Sequence, residues 1–264
     1  MLKSLLMKFV VILLRLLSSV DNRIARKIEI EVNRIQGKGG GEITVEKEAR
    51  IALDFLGRVD SENLVVFDVG ANQGLYTEAI LRLAPQARIF AFEPSSSARA
   101  IFESKLHGDE KIEVIPFALG ESIASAELYS DTPGSGLASL TKRRLDHFGI
   151  DFNYAERIQI TTLDSFIEST GVVPNILKMD VEGHELSVLK GGLANLEKIQ
   201  VIQFEFGGCN IDTRTFFQDF WYTLTPLGFS IFRISPSGRT KIESYSEEEE
   251  YFNTSNFIAA RLAN

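Results

Sequence analysis

The chain is poor in the residues that build small extracellular or zinc-bound folds. It has one cysteine (Cys209) and three histidines in 264 residues. A lone cysteine excludes an intrachain disulfide framework and suits a reducing, cytoplasmic compartment, and so few sulfur and imidazole ligands make a Cys/His zinc site improbable. There is no excess of positive charge: the formal net charge is −8, so no global basic field draws in nucleic acid. No internal repeat is present. The apolar N-terminus, MLKSLLMKFVVILLRLLSSV, is broken by Lys3, Lys8 and Arg15, so it offers no uninterrupted span of ~20 residues to cross a bilayer. Ser18-Ser19-Val20 is a poor signal-cleavage site.

What is present is a core-forming composition, 44% hydrophobic and 24% charged, ordinary for one elaborated α/β domain. The first 35 residues stand apart. Ile24, Ile28, Val32 and Ile35 recur at helical spacing between charged residues. Two readings are open for them. One is a helix lying on the domain or at a homodimer interface. The other is a basic-apolar helix resting peripherally on the inner membrane face. GKGGGE, Gly37 to Glu42, reads as a hinge. The expected division is therefore residues 1–41, helical segment and hinge, and residues 42–264, a single domain.

Within that domain, strand-like and helix-like runs alternate. LVVFDVG, RIFAFEP, IEVIPFALG, SAELYS, RIQITTL, NILKMDVEG, VIQFEFGG, the hairpin SIFRIS-PSG-RTKIES and NFIAARL read as strands. The intervening helices include LYTEAILRLA, SSARAIFESKL, DSFIEST, HELSVLKGG and TFFQDFWYTL. Such alternation predicts a mostly parallel sheet covered on both faces, with ligands outside the strand C-termini. Asp68, Glu93, Asp180 and Glu205 each end a strand at that edge. This is the most informative pattern in the chain.

The turn DVGANQG, Asp68 to Gly74, is read as a nucleotide-type turn. Gly70 and Gly74 permit a tight turn and close approach by a ligand. The dinucleotide spacing G-x-G-x-x-G is not met, since Asn72 occupies the middle position. Asp68 would repel a pyrophosphate and welcome a cation, which favours the sulfonium and ammonium of S-adenosylmethionine. Glu93 is spaced to accept both hydroxyls of a ribose.

FDVGANQGLYT, FEP, FALG, GSGLASL, TTLDSF and LKMDVEGHELSVLKGG together resemble the FkbM family of S-adenosylmethionine-dependent methyltransferases, from about Leu64 to Ile258. The resemblance implies a class I methyltransferase (Rossmann-like) three-layer fold, with a seven-stranded, mostly parallel sheet and an antiparallel last strand. It also implies methylation of a hydroxyl oxygen. On the matching positions, Asp68, Gly70, Ala71, Asn72 and Gly74 would line the methionine portion, with Tyr76 or Thr77 adding polar contacts. Glu93 would hold the ribose and Pro94 shape the adenine slot. Ala118 and Leu119 would sit against the adenine, and Asp180 near the transferred methyl.

An alcohol acceptor must lose its proton as the C–O bond forms, so a base is required. Asp180, His184 and Glu205 are the catalytic candidates, with Glu182 beside them. No metal is assigned. GSGLASLTKRR is read as a loop closing over the acceptor. Lys142, Arg143 and Arg144 either bind an anionic substrate or form a solvated helix start, and the second reading is preferred. SEEEEYF reads as a solvated loop, and Phe216, Phe217, Phe220 and Trp221 mainly as core. The expected activity is O-methylation of a saccharide or glycolipid precursor, or another small molecule with a hydroxyl group. The alternatives are an NAD(P)-dependent oxidoreductase and a non-catalytic membrane-associated scaffold.

Overall fold

A computed structural model describes residues 8–16, 22–39, 43–57, 63–106 and 108–262 of the protein. Five parallel strands form the heart of the main sheet. They are β1 (Val65–Val69), β2 (Arg88–Phe92), β3 (Ile112–Ile115), β7 (Ile176–Met179) and β8 (Val201–Phe206). β11 (Ser255–Ala260) then runs antiparallel between β8 and β9 (Ser230–Ser235), and β10 (Gly238–Lys241) folds back on β9. The order is β3-β2-β1-β7-β8-β11-β9-β10. The antiparallel closing strand is as expected. The hairpin arm β10 adds an eighth strand, because the PSG turn lets RTK pair with SIFRIS.

IEVIPFALG is not one strand. Pro116 lacks the N–H that a continuing ladder needs, and the chain leaves β3 there. Ala118–Leu119 (β4) joins a separate three-stranded sheet, β4-β6-β5, with β5 (Ala124–Ser130) and β6 (Tyr154–Thr161). This small sheet carries the segment that roofs the functional cavity.

The strands of the main sheet are buried on both faces, which is why they read as continuous apolar runs. Phe67, Leu177, Ile202 and Phe204 face α6 (Leu163–Thr170), α7 (Glu185–Lys190) and α9 (Phe217–Leu224). Phe67 meets the rings of Phe90, Phe92 and Phe166 at centroid distances of 5.2, 5.4 and 5.5 Å. Phe217 and Phe220 belong to the same core, while Phe216 stays half-exposed. On the opposite face Val66, Ile176 and Val201 pack on α3 (Val45–Asp54) and α4 (Leu75–Leu83). α5 (Ser96–Leu106) lays Phe102 against Ala71 and Ala91.

Thr162, rather than the acid in the first turn, caps α6, its Oγ1 accepting from Ser165 N at 3.0 Å. Asp164 instead accepts from Ala194 N and Asn195 Nδ2. The acidic run is not merely solvated. Both Glu250 oxygens cap α9 through Phe217 N and Gln218 N, and Glu249 pairs with Arg233.

Residues 8–16 (α1) and Asn22–Ile35 (α2) are helical, and α2 buries no residue. The end of α2 is nevertheless tied down. Asn33 Nδ2 donates to the Tyr251 hydroxyl at 2.8 Å, and Gly39 N donates to Thr254 O at 3.1 Å. Gly37, at φ +73°, passes so close to β9 that a Cβ would stand 2.0 Å from Ile234 O. The first half of the expected hinge is thus packed, and residues 40–42 lie outside the described residues.

Candidate active site

Register fixes where the carboxylates lie. Val69 stands abreast of Phe92 and Met179, and Met179 abreast of Phe204. One position further along each strand places Glu93, Gly70, Asp180 and Glu205 in a single row at the rim. Asp68 is one pleat behind them, abreast of Lys178, which is itself abreast of Gln203. Three of the four expected acids therefore share the edge, and the fourth is fully buried.

Asp68 already has its cation. Oδ1 is 3.1 Å from Lys178 Nζ, an ion pair without hydrogen-bond alignment, and Oδ2 accepts from Thr77 Oγ1 at 2.8 Å. Lys178 also donates to Gly70 O at 3.2 Å and lies 3.8 Å from Asp180 Oδ2. Burial pulls its pKa down, but Asp68 and then Asp180 outweigh that and hold it above the usual lysine value. The expectation that Asp68 awaits a cationic ligand is corrected: the protein's own ammonium fills that place. Asp68 thus has a structural role whichever ligand binds. The glycines also answer to the protein. A Cβ on Gly70 would stand 1.9 Å from Asp180 O, and one on Gly74 would stand 2.9 Å from Phe102 and Leu106.

The row opens into a cavity of about 670 Å³ including the open solvent at its mouth. Of the residues expected to bind the cofactor, Gly70, Asn72, Glu93, Pro94, Ala118, Leu119 and Asp180 line it. Asp68, Ala71, Gly74, Tyr76 and Thr77 do not. Ala71 N donates to Phe92 O at 3.1 Å, and the Tyr76 hydroxyl donates to Gln203 Oε1 at 2.9 Å. Of the catalytic candidates, Asp180 and His184 reach the cavity, joined by Glu182. Glu205 lies to one side, where Asn256 is its partner in register on β11.

Glu93 is held by the turn it faces: Asn72 N donates to Oε2 at 2.7 Å and Ser95 N to Oε1 at 2.8 Å. Burial raises its pKa, and those two bonds moderate the rise. Each oxygen keeps a second lone pair for a ligand hydroxyl. Asn72, at φ +47°, carries a buried Oδ1 with no partner. An orphaned acceptor in a cavity wall is costly unless a donor arrives. A ligand with ribose hydroxyls, a flat aromatic base and an ammonium group, as in S-adenosylmethionine, fits these acceptors. Phe92, Leu119, Leu128 and Leu140 supply the apolar wall.

The roof comes from the segment between β5 and β6. Ser139 Oγ donates to Glu182 O at 2.8 Å, and Thr141 Oγ1 is 2.9 Å from His184 Nε2. Arg143 pairs with Glu182 and lies 3.6 Å from Asp212. Arg143 is thus a half-buried strut engaged by two carboxylates, whereas Lys142 is exposed and donates to Asn153. His184 is not a solvated first-turn residue, and burial lowers its pKa.

Two carboxyls behind the rim, Glu185 and Glu48, were not among the candidates read from the sequence. Glu185 is fully buried; its Oε1 accepts from Val181 N at 2.8 Å, and its Oε2 has no partner. Burial, with Asp180 and Glu182 adding to it, pushes its pKa up to about 8. Burial and the Asp180 charge raise Glu182 to about 7 despite Arg143, and raise Glu48 to about 7. Glu205 is raised well above the ordinary value by burial, then by Asp180 and Glu182. Glu48 belongs to the network through Gln203 Nε2 at 3.2 Å and Asn256 Nδ2 at 2.9 Å. The H-E pair after DVEG was visible in the sequence, but Glu48, some 130 residues before Asp180, gave no local signal.

A strand order of this kind, with an antiparallel strand inserted beside the fifth and a ligand cavity at the first strand's turn, defines the class I methyltransferase fold. Residues 68–231 match the family described as the methyltransferase FkbM domain, and the chain belongs to that family. It is 29% identical over 145 residues to Methyltransferase 1 of Beauveria bassiana (48% of this chain, 57% of that protein). It is 32% identical over 147 residues to the hexuronic acid methyltransferase AglP of Haloferax volcanii (54% and 56%). It is 25% identical over 152 residues to the 2-O-methyltransferase NoeI of Sinorhizobium fredii (54% and 63%). The chain thus spans somewhat over half the length of these curated relatives.

Two outcomes follow from the buried charges. Lys178→Met strands Asp68 as an unpaired buried charge and should cost ~3–5 kcal/mol; the double variant Lys178→Met/Asp68→Asn should lose much less, both read by urea denaturation. Glu185 binds its proton more tightly when folded than when unfolded. Its contribution is therefore fully present below the ordinary carboxylate pKa and is lost as pH rises towards about 8. Replacing it by Gln should flatten the fall in stability between pH 5 and 8, on the order of that window.

Proposed function

We propose that this chain transfers a methyl group from S-adenosylmethionine to a hydroxyl oxygen of a saccharide or glycolipid precursor. The observation that carries it is the rim cavity, lined by Asn72, whose buried Oδ1 has no partner, and by the backbone-held Glu93. The relatives AglP and NoeI, named for methylating a hexuronic acid and a 2-O position, support the acceptor class. When bound, S-adenosylmethionine supplies an electrophilic methyl on a cationic sulfur.

The chain's residues then do the remaining work. Glu93 accepts from ribose hydroxyls, Asn72 Oδ1 from the ammonium, and the apolar wall keeps water from the adenine. The Asp180 side chain, 43% exposed at the rim, orients the acceptor hydroxyl. His184, kept neutral by burial at pH 7, takes its proton. Alignment and exclusion of water supply most of the acceleration in such displacements.

Calorimetry with S-adenosylhomocysteine and NADH in parallel tests the ligand. Binding of the first alone is expected, and binding of NADH alone would sink the reading. Asp180→Asn and His184→Ala should each lower kcat by ~10²-fold or more, with S-adenosylhomocysteine affinity changed far less. The acid limb of kcat should fall at a pH below the ordinary imidazole value of ~6.5, because His184 is lowered.

We also propose a peripheral contact between the N-terminal helices and anionic lipid. In α1, Phe9, Ile12 and Leu16 are 63%, 57% and 61% exposed. Residues 1–39 hold eight Lys/Arg against three Asp/Glu in a chain of net charge −8. Apolar burial plus basic attraction is the physics of interfacial helices. Among the described residues, no helix is long and apolar enough to cross a membrane. The protein should float with vesicles containing phosphatidylserine and lose this on deletion of residues 1–35. Concentration-dependent dimerisation without flotation would mean the helices pair with a second copy instead.

A further inference from the structure

A second depression begins where the cavity ends. His184 lines the rim cavity and also the head of a surface trough bounded by Thr141, Ser187, Lys190, Asp212 and Thr213. A further depression continues this trough, sharing Leu186, Lys190, Thr213 and Thr215 with it, and runs between α7 and α9 to Tyr222. The two parts enclose about 600 and 940 Å³ including open solvent and together run from His184 to Tyr222.

We propose that this trough binds a saccharide chain and delivers its terminal hydroxyl past His184 to the methyl group. The proposal rests on the methyl-transfer reading and adds where the acceptor lies. Leu186 is the one aliphatic side chain among the lining residues; the others are mostly hydroxyl, amide or charged groups. Such a wall suits a polyol and does not suit a lipid or polyketide chain.

The hydroxyls are pre-oriented. Ser187 Oγ accepts from Glu121 N at 3.0 Å, which leaves its own proton for a ligand oxygen. Thr215 Oγ1 accepts from Asn210 Nδ2 at 2.7 Å and lies 2.9 Å from Thr213 Oγ1, which in turn donates to Asn210 O at 3.5 Å, so this pair is fixed in place by its neighbours. At the far end Tyr222 is 62% exposed, its ring 6.0 Å from that of Tyr245. This ledge presents an apolar ring face with a polar edge, the form of surface on which a sugar's C–H face stacks. Arg214, an exposed non-glycine residue at φ +55°, is set beside the trough with the donors of a planar guanidinium. Acids in the trough are largely engaged: Asp212 lies near Arg143, Asp219 accepts from Phe216 N, and Glu121 lies near Lys190.

The test uses the full chain saturated with S-adenosylhomocysteine and titrated with maltotetraose and tetragalacturonic acid, followed by amide NMR. At least one probe should shift the amides of Thr213, Thr215, Gln218 and Tyr222. Tyr222→Ala and Arg214→Asn, both exposed changes and the second compatible with a left-handed backbone, should each weaken that probe ~10-fold (about 1.4 kcal/mol). Their affinity for S-adenosylhomocysteine should match the parent. Shifts confined to other surfaces, no shift with either probe, or undiminished binding in both variants would overturn the trough. Failure of the parent chain to bind S-adenosylhomocysteine would overturn the methyl-transfer reading beneath it.

Discussion

The ammonium of Lys178 sits between β1 and β7 and is shared by Asp68, the Gly70 carbonyl and, at longer range, Asp180. These three contacts hold the first turn and the end of the fourth parallel strand in one geometry. Gly70 must lack a side chain for that to happen, since the Asp180 carbonyl occupies the Cβ position. The turn then presents Asn72 N to Glu93. The cation therefore sets the rim indirectly: it fixes the turn, the turn fixes Glu93, and Glu93 forms part of the cavity wall. Such a buried pair is weak evidence for stability but good evidence for a specified geometry.

Around Lys178 and Asp180 stands a group of further carboxyls, of which Glu182 has Arg143 as its own cation. Glu48, Glu182, Glu185, Glu205 and Glu93 all have raised pKa values, with burial the first cause in each. A fold that leaves protonatable carboxyls so close together retains negative potential near Asp180 without forming several full buried charges. In the proposed reaction that potential stabilises a cationic sulfur before transfer. It also places a limit on rate, because a field that favours the sulfonium too strongly opposes its loss of charge in the transition state.

Much of this was legible in the chain. The alternation of apolar strands with amphipathic helices fixed the sheet class, and Asp68, Glu93, Asp180 and Glu205 marked strand ends because each closes an apolar run. What could not be read was depth. A side chain's row depends on register with strands a hundred residues away, so Asp68 looked like its three counterparts although it lies one pleat behind them. Lys178 was hidden for the same reason, since its main partner, Asp68, lies on a strand about a hundred residues earlier. Pro116 did announce the break in IEVIPFALG, but the small sheet that follows rests on a pairing between β4 and β6 that spans some forty residues. The strut role of Arg143 likewise needs Glu182 and Asp212, both distant in sequence.

The roof and the acceptor side are built from the same contacts. Ser139, Thr141 and Arg143 reach down from one segment to Glu182 and His184 in the turn after β7 and to Asp212 in the short helix α8 (Cys209–Thr213) after β8. Closing the cavity over a nucleoside and completing the wall at the head of the trough are therefore one structural event, not two. If the roof lifted, His184 would lose Thr141 and Glu182 would lose both Ser139 and Arg143, so the proton acceptor and its surroundings would loosen together. Under the proposed reaction this coupling protects the bound sulfonium from water until an acceptor wall is in place, and it does so with ordinary side-chain bonds and no separate lid.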